Sequence, residues 1–144
     1  ELCIVKKLKM QNGVKIRVGK GGKLEIGKNF GMSNGCVVTA YDHIKIGDNV
    51  MLGPNVLIYD QDHDYRAEGG VAAMRFKTAP VVIGNNVWIG ANTLILRGTT
   101  IGDNSVIGGG TVIKGEYPPD SVIIQKRLTE VRECNEENSI YRRI

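Results

Sequence analysis

The stretch from residue 81 to residue 113 reads VVIGNN VWIGAN TLILRG TTIGDN SVIGGG TVI when it is divided into groups of six. The third residue of every group is an isoleucine, and the first is small or β-branched. A period of six fits neither the 3.6 residues of an α-helical turn nor the alternation of a simple strand. It is typical of parallel β-helices built from hexapeptide repeats. The sequence therefore predicts an all-β fold.

The same spacing extends toward the N-terminus, with two interruptions. The groups of six continue through two earlier sets of apolar residues, namely Ile26, Met32, Val38 and then Ile46, Leu52, Ile58. The step from Val38 to Ile46 is eight residues, and the step from Ile58 to Ile83 is twenty-five. Since three groups make one triangular coil, we expect about five coils between about residue 10 and residue 118.

One domain is expected over residues 1–144, because the length suits a single core. It would consist of the β-helix, an inserted loop at about 60–80, and a C-terminal capping tail at 119–144. Here residues 122–124 predict a final strand, and residues 128–137 are expected to form a short helix or a simple tail. The corners between groups carry Gly, Asn and Asp, which tolerate a left-handed backbone.

Composition narrows the class of protein. The three cysteines lack CxxC spacing, which indicates neither a disulfide framework nor a zinc site. The sequence also shows neither a signal peptide nor an apolar run of membrane-spanning length. We therefore predict a cytoplasmic protein. The first thirty residues hold eight Lys or Arg and two Glu. These charges alternate with apolar residues, which indicates the solvated side of strands, and we expect no nucleic-acid partner.

The insertion carries the residues with the clearest chemical potential. It begins Asp60-Gln61-Asp62-His63-Asp64-Tyr65-Arg66. Long insertions in a regular fold are usually functional, and histidine is the side chain suited to general-base catalysis near neutral pH. Adjacent carboxylates can hold the tautomer of the His63 imidazole. A solvated polar loop with an incidental histidine is the alternative.

The second histidine, His43, lies five residues after Val38, as His63 lies five residues after Ile58. The spacing therefore predicts that both histidines lie near one corner, one coil apart. His43 would either support the local bulge or contribute to a substrate site, where Asp42 beside it could accept a hydrogen bond.

Several motifs together resemble a known family. They are IKIGDNVMLGPNV at 44–56, the His63 insertion, IGNNVWIG at 83–90, IGDNSVIG at 101–108 and PPD at 118–120. This order resembles the left-handed β-helix acetyltransferases, in the branch of the maltose, galactoside and capsular-sugar O-acetyltransferases. The resemblance covers about residues 26–133.

The resemblance implies a mechanism and an assembly. His63 would take the proton of a sugar hydroxyl that attacks acetyl-CoA directly, without an acyl-enzyme and without a metal. Asp60, Asp62 or a backbone carbonyl would orient the imidazole. The site would lie between neighbouring subunits of a homotrimer. Coenzyme A would contact five residues of this chain: Trp88, Ala91, Gly109, Lys114 and Arg132. The acceptor would contact four more: Ser33, Asn34, Asp42 and Asp62.

Departures from the family and other functions also bear on the prediction. The chain reads Lys114-Gly115-Glu116-Tyr117 before its Pro-Pro, and residues 123–127 replace the usual Gly-x-Pro, an ending closer to capsular-polysaccharide acetyltransferases. An N-acetyltransferase acting on an amino sugar and a non-catalytic scaffold remain alternatives. A zinc enzyme of the γ-carbonic-anhydrase type is disfavoured, because it needs three histidine ligands and the sequence has two histidines.

Overall fold

The structure, a computed structural model, describes residues 1–4 and 7–131. The chain visits three sheets in turn, and each full turn of the chain adds one parallel strand to each sheet. The result is a triangular β-helix whose coils stack along one axis. The predicted all-β, parallel architecture is therefore confirmed.

The described strands follow this rotation. The first sheet contains β1 (Leu2–Ile4), β4 (Lys23–Ile26), β7 (His43–Ile46), β12 (Val81–Ile83), β15 (Thr100–Ile101) and β18 (Glu116–Tyr117). The second contains β2 (Leu8–Met10), β5 (Phe30–Met32), β8 (Met51–Leu52), β13 (Trp88–Ile89), β16 (Val106–Ile107) and β19 (Val122–Ile123). The third contains β3 (Lys15–Val18), β6 (Val37–Ala40), β9 (Leu57–Tyr59), β14 (Leu94–Ile95) and β17 (Val112–Ile113).

The β-helix is longer than the predicted five coils, because it begins at Leu2 and ends at Ile123, which makes about six. The first coil keeps the six-residue spacing through Ile4, Met10 and Ile16, which pair with Ile26, Met32 and Val38 one coil later. A step of ten residues separates Ile16 from Ile26. This longer step hides the first coil from an analysis based on spacing.

Aliphatic side chains fill the interior of the prism. The isoleucines that define the repeat are all buried, as are the members of their columns in the second and third coils, whereas Ile4 and Met10 in the first coil are exposed. The small residues two positions earlier are buried as well, and their hydroxyls are satisfied by backbone carbonyls: Thr93 donates to Gly90 at 2.7 Å and Thr111 to Gly108 at 2.9 Å. The pattern that predicts the repeat therefore describes the two inward positions of each strand.

Asparagines stabilise the corner between the first and second sheets. Asn49, Asn86 and Asn104 stack in successive coils with positive φ, at 59°, 56° and 58°. Their side chains form a ladder in which each amide nitrogen donates to the next side-chain oxygen, at 2.9 Å from Asn49 to Asn86 and 3.1 Å from Asn86 to Asn104. The prediction that Asn, Asp and Gly occupy the corners is confirmed here.

Variation in length is concentrated at the corner between the third and first sheets, which we call the third corner (residues 19–22, 41–42, 60–80, 96–99 and 114–115). The steps between inward residues across it are ten, eight, twenty-five, six and four residues, whereas the steps across the other two corners are six throughout. The fold therefore keeps two corners constant and varies the third.

The last strand of the third sheet is covered by the segment that follows β19. The Gln125 side chain accepts from the Val112 N–H at 2.9 Å and donates to the Val112 carbonyl at 2.7 Å, and Arg127 donates to the Gly110 carbonyl. The predicted final strand is confirmed as β19. Leu128 and Val131 are exposed, and residues 132–144 lie outside the described part, so the helix expected there is not tested. No helix in the described ranges is long and apolar enough to cross a membrane.

We expect Asn86→Ala to lower the free energy of unfolding by roughly 1–3 kcal/mol, because alanine adopts the left-handed region less readily than asparagine and the change breaks the amide ladder. Asn86→Gly removes the ladder but tolerates the positive φ, and should recover part of that loss. Urea denaturation of the three proteins measures both contributions. Equal stability of the two variants would mean that backbone conformation does not matter at this position.

Candidate active site

The insertion at the third corner is a hairpin rather than the predicted loop. Its strands are β10 (Gln61–His63) and β11 (Phe76–Thr78), paired antiparallel, and a short 3₁₀-helix spans Gly70–Ala73. The Ala79 N–H donates to the Asp60 carbonyl at 3.0 Å and closes the base of the hairpin. His63 is thereby placed on a strand, directly opposite Phe76.

A row of aromatic rings connects His63 to the β-helix. The His63 ring lies 4.7 Å from the Phe76 ring between centroids, and Phe76 lies 4.8 Å from Tyr41 at the neighbouring coil of the third corner. Gly19, one coil earlier, lies against the Tyr41 ring, since a Cβ there would approach that ring to 3.0 Å. The imidazole, although exposed, is therefore backed by side chains that end on the rigid coils.

The three carboxylates around His63 have other partners. Buried Asp60 accepts the backbone N–H groups of Tyr41 and Asp42, each at 2.8 Å. Asp62 accepts from Arg97 Nε at 2.6 Å, and Asp64 pairs with Lys77 at 3.2 Å. The imidazole is not among the described hydrogen-bond partners of Asp60 or Asp62, the two carboxylates expected to orient it. These carboxylates instead attach the hairpin to the coils before and after it.

Burial raises the pKa of the Asp60 carboxyl group. Loss of solvation raises its pKa above the ordinary carboxyl value, although the two backbone N–H groups act in the opposite direction. A carboxyl group whose pKa is raised by folding stabilises the folded state below its unfolded pKa, and that contribution is lost as pH rises through the folded pKa.

The second histidine has a separate environment. His43 begins β7 on the first sheet, and its Nε2 lies 3.1 Å from Glu25 Oε1, which also binds Lys23. This contact agrees with the structural interpretation of His43. Within the described residues, no group of three His, Cys, Asp or Glu side chains is placed to hold a metal ion.

The residues expected on the acceptor side lie at two corners. Ser33 and Asn34 follow β5, between the second and third sheets, where the Asn34 side chain accepts the Asn12 N–H at 3.0 Å. Asp42 lies at the third corner with the hairpin that carries Asp62. A single chain therefore brings Asp42, Asp62 and His63 to one corner and leaves Ser33 and Asn34 at another.

The residues expected to contact coenzyme A are partly grouped. Trp88 points outward from the second sheet and is 57% exposed. Ala91 and Gly109 follow at the adjacent corner on successive coils, where a Cβ on Gly109 would lie 3.1 Å from the Ala91 carbonyl oxygen. Lys114 is exposed at the third corner, and Arg132 lies outside the described residues.

His63 and Trp88 lie on opposite sides of the prism. His63 belongs to the third corner, between the third and first sheets, and Trp88 lies on the outward side of the second sheet, which is the face opposite that corner. One copy of the chain therefore does not bring the two side chains into one site.

Phe76, Tyr41 and Arg97 contact the hairpin residues but are not indicated by the sequence pattern. Phe76 is thirteen residues from His63, and the register that pairs them depends on the hairpin. Arg97 is thirty-five residues from Asp62, at the next coil of the third corner. Grouping the residues of this corner by coil, instead of following the isoleucines alone, would have placed Tyr41 and Arg97 beside the insertion.

Comparison with known proteins identifies the family. The model of bacterial transferase hexapeptides (six repeats) matches residues 80–115. The galactoside O-acetyltransferase of Escherichia coli strain K12 is 35% identical over 125 residues, which is 84% of this chain and 59% of that protein. A maltose O-acetyltransferase structure from Clostridium difficile 630 aligns with a TM-score of 0.69 and 41% identity, over 84% of this chain and 64% of that one. The structure of a galactoside acetyltransferase in complex with coenzyme A aligns with a TM-score of 0.68 and 30% identity, over 94% of this chain and 68% of that one.

The chain therefore belongs to the hexapeptide-repeat acetyltransferases, among the relatives of the sugar O-acetyltransferases. This likeness confirms the predicted left-handed winding of the β-helix. The chain spans about three fifths of the E. coli enzyme and slightly less than two thirds of the C. difficile enzyme.

The titration of Asp60 can be tested with Asp60→Asn, which removes the ionisable proton and keeps the shape. Because the folded protein holds that proton more tightly than the unfolded chain does, the stability of the wild type relative to the variant should fall as pH rises from about 4. Urea denaturation of both proteins between pH 3.5 and pH 7 measures this difference. A difference that grows with pH would show that the two N–H groups outweigh desolvation.

Proposed function

We propose that the protein is an acetyltransferase that moves the acetyl group of acetyl-CoA to a hydroxyl group of a saccharide. The observation that carries this proposal is the position of His63. Its imidazole is exposed, packs against Phe76 on the hairpin, and lies at the corner where the length of the β-helix coils varies. The chain's membership of the hexapeptide-repeat acetyltransferases supplies the reaction class.

His63 is the general base in this proposal. One imidazole nitrogen takes the proton from the acceptor hydroxyl while the hydroxyl oxygen attacks the thioester carbonyl carbon. A backbone N–H stabilises the resulting oxyanion. The tetrahedral intermediate then releases the thiolate of coenzyme A, which recovers the proton from the imidazolium. No acyl-enzyme forms, so the three cysteines have no part in the reaction.

The acyl donor is assigned to the strip from Trp88 to the neighbouring corner. Trp88 offers an exposed ring for the thioester end, and Ala91 and Gly109 keep the corner free of large side chains where the pantetheine arm would pass. A relative of this family is known in complex with coenzyme A. We assign Lys114 and Arg132 to the phosphates of the donor.

The proposed site requires two copies of the chain, because His63 and Trp88 lie on opposite sides of one prism. A ring of three copies, in which the third corner of one approaches the second sheet of the next, brings the two residues together. We therefore propose a homotrimer with three equivalent sites between subunits.

The outward side chains of the sheets support an assembly of this kind. On the first sheet the outward row is mainly polar, as in Glu25, Lys45 and Thr100. Two apolar rows occupy the other sheets: Met51, Trp88, Val106 and Val122 on the second, and Val37, Leu57, Leu94 and Val112 on the third. Within these rows Met51, Trp88, Val112 and Val122 are exposed and the other four residues are partly buried. Contiguous apolar rows of this length favour a protein interface.

The acceptor is assigned to Asp42 and Asp62 of one copy and to Ser33 and Asn34 of the next. A capsular or other polysaccharide acceptor is the finer proposal, supported by the ending at residues 123–127. A cytoplasmic location stays a prediction. It is consistent with the free thiols of Cys3 and Cys36 and with the supply of acetyl-CoA in that compartment.

Replacement of the base tests the mechanism. We expect His63→Ala to lower kcat by roughly 10²–10⁴-fold with little change in the affinity for acetyl-CoA, since the imidazole acts on the acceptor proton. Release of free thiol from acetyl-CoA, with a panel of sugars and amino sugars, measures the rate. His43→Ala is the matched control and should keep nearly full activity.

The thiol-release assay and a calorimetric titration together separate the alternatives. Full activity of His63→Ala would exclude His63 as the base. Faster transfer to amino sugars than to the matching hydroxyl sugars would favour an N-acetyltransferase. Absence of heat on calorimetric titration with coenzyme A would favour a scaffold.

Mixing two inactive variants tests the site between subunits. We expect His63→Ala and Trp88→Ala, unfolded and refolded together in equal amounts, to recover about a quarter of wild-type activity, because each site draws one residue from each of two neighbours. Each variant refolded alone should stay inactive. Failure of the mixture to exceed the separate variants, with mixed trimers shown by mass spectrometry, would place both residues in a site within one copy.

A further inference from the structure

We propose that a cavity on the second sheet binds the anionic group of an acidic saccharide, so that the acceptor carries a carboxylate or a phosphate beside the hydroxyl that is acetylated. This inference rests on the proposed function and specifies the class of its acceptor. The cavity has a volume of about 660 Å³, a size that suits one or two sugar rings. Its lining residues are Lys7, Lys9, Met10, Gln11, Asn29, Gly31, Met32, Ser33, Met51 and Leu52.

One of the lining residues is a glycine in the outward row of the second sheet. Strand register places Lys9, Gly31, Met51 and Trp88 in one outward row across β2, β5, β8 and β13. Gly31 adds no side chain to this row, and the Met51 thioether lies close over it, since a Cβ on Gly31 would lie 3.0 Å from Met51 Sδ.

The charge of the cavity is positive. Its lining contains two lysines and no acidic residue. The ion pairs within the described residues involve Lys23, His43, Lys77 and Arg97, so neither Lys7 nor Lys9 has a carboxylate partner there. A solvated lysine pair beside polar side chains such as Ser33 is suited to a carboxylate or a phosphate.

The position of the cavity assigns it to the acceptor rather than to the donor. Met51 separates it from Trp88, where the thioester end of acetyl-CoA is proposed to lie. The other donor residues, Ala91, Gly109 and Lys114, follow Trp88 toward the C-terminal coils, whereas the cavity lies on the N-terminal coils. A group held by Lys9 therefore approaches the thioester from the side opposite the coenzyme.

Matched acceptors test the inference. We expect kcat/KM for methyl glucuronide or glucose 6-phosphate to exceed that for methyl glucoside about tenfold or more, as one charge-assisted hydrogen bond would give. Lys9→Gln should remove most of this preference and Lys9→Arg should restore it. Lys45→Gln, which removes an outward lysine from the first sheet, is the control and should leave the preference unchanged. Comparison of the two anionic acceptors shows whether the cavity prefers a carboxylate or a phosphate.

Binding provides a readout that does not depend on turnover. Calorimetric titration of methyl glucuronide, glucose 6-phosphate and methyl glucoside, in the presence of coenzyme A, should show preferential binding of an anionic sugar that Lys9→Gln weakens. No preference for either anionic sugar, or a preference that survives the combined change of Lys7 and Lys9 to Gln, would overturn the inference. The inference would also be overturned if Lys9→Gln raised the KM for acetyl-CoA equally with all acceptors, because the lysines would then bind the donor.

These outcomes are distinguishable from failure of the proposed function. Good turnover of neutral sugars with no effect of Lys9→Gln would retain the acetyltransferase and reject the anionic acceptor. Preferential binding of an anionic sugar without release of thiol from acetyl-CoA would retain the cavity as an anion site and reject the reaction.

Discussion

The backbone hydrogen bonds between successive coils are the constraint on which the rest of this molecule depends. Each strand bonds to the strand one coil before it and the strand one coil after it, so inward residues must remain in register along the whole axis. Asn49, Asn86 and Asn104 satisfy this constraint at one corner with a left-handed backbone and a ladder of side-chain amides. Spacing, burial and corner residues are consequences of that stacking.

The same constraint leaves one corner free to vary. At the third corner the chain leaves the regular path by different lengths in different coils, and the flanking strands still pair. The insertion at residues 60–80 is attached there by Asp60 to the coil before it and by Arg97 to the coil after it. The proposed base is thereby carried on an inserted hairpin while its position is set by rigid coils.

The proposed chemistry connects this corner with the opposite face. The second sheet carries Trp88, the lysine-lined cavity and an apolar row, and the third corner carries His63. Assembly would therefore complete the donor site, the acceptor site and the cover of the apolar surface in one step. The mainly polar outward row of the first sheet is suited to remain in solvent.

The spacing of residues along the chain predicts the repeat, the inward residues, the corner residues and the place of the insertion, because stacked coils impose the same local spacing on every repeat. It missed the first coil, since the ten-residue step to Ile26 breaks that spacing. The partners of His63, Asp60 and Asp62 are visible only in the folded chain, because these contacts join residues that are far apart in the sequence and depend on hairpin register. Only the folded chain also shows that His63 and Trp88 lie on opposite sides, since the direction of a side chain around the axis depends on the sheet to which its strand belongs.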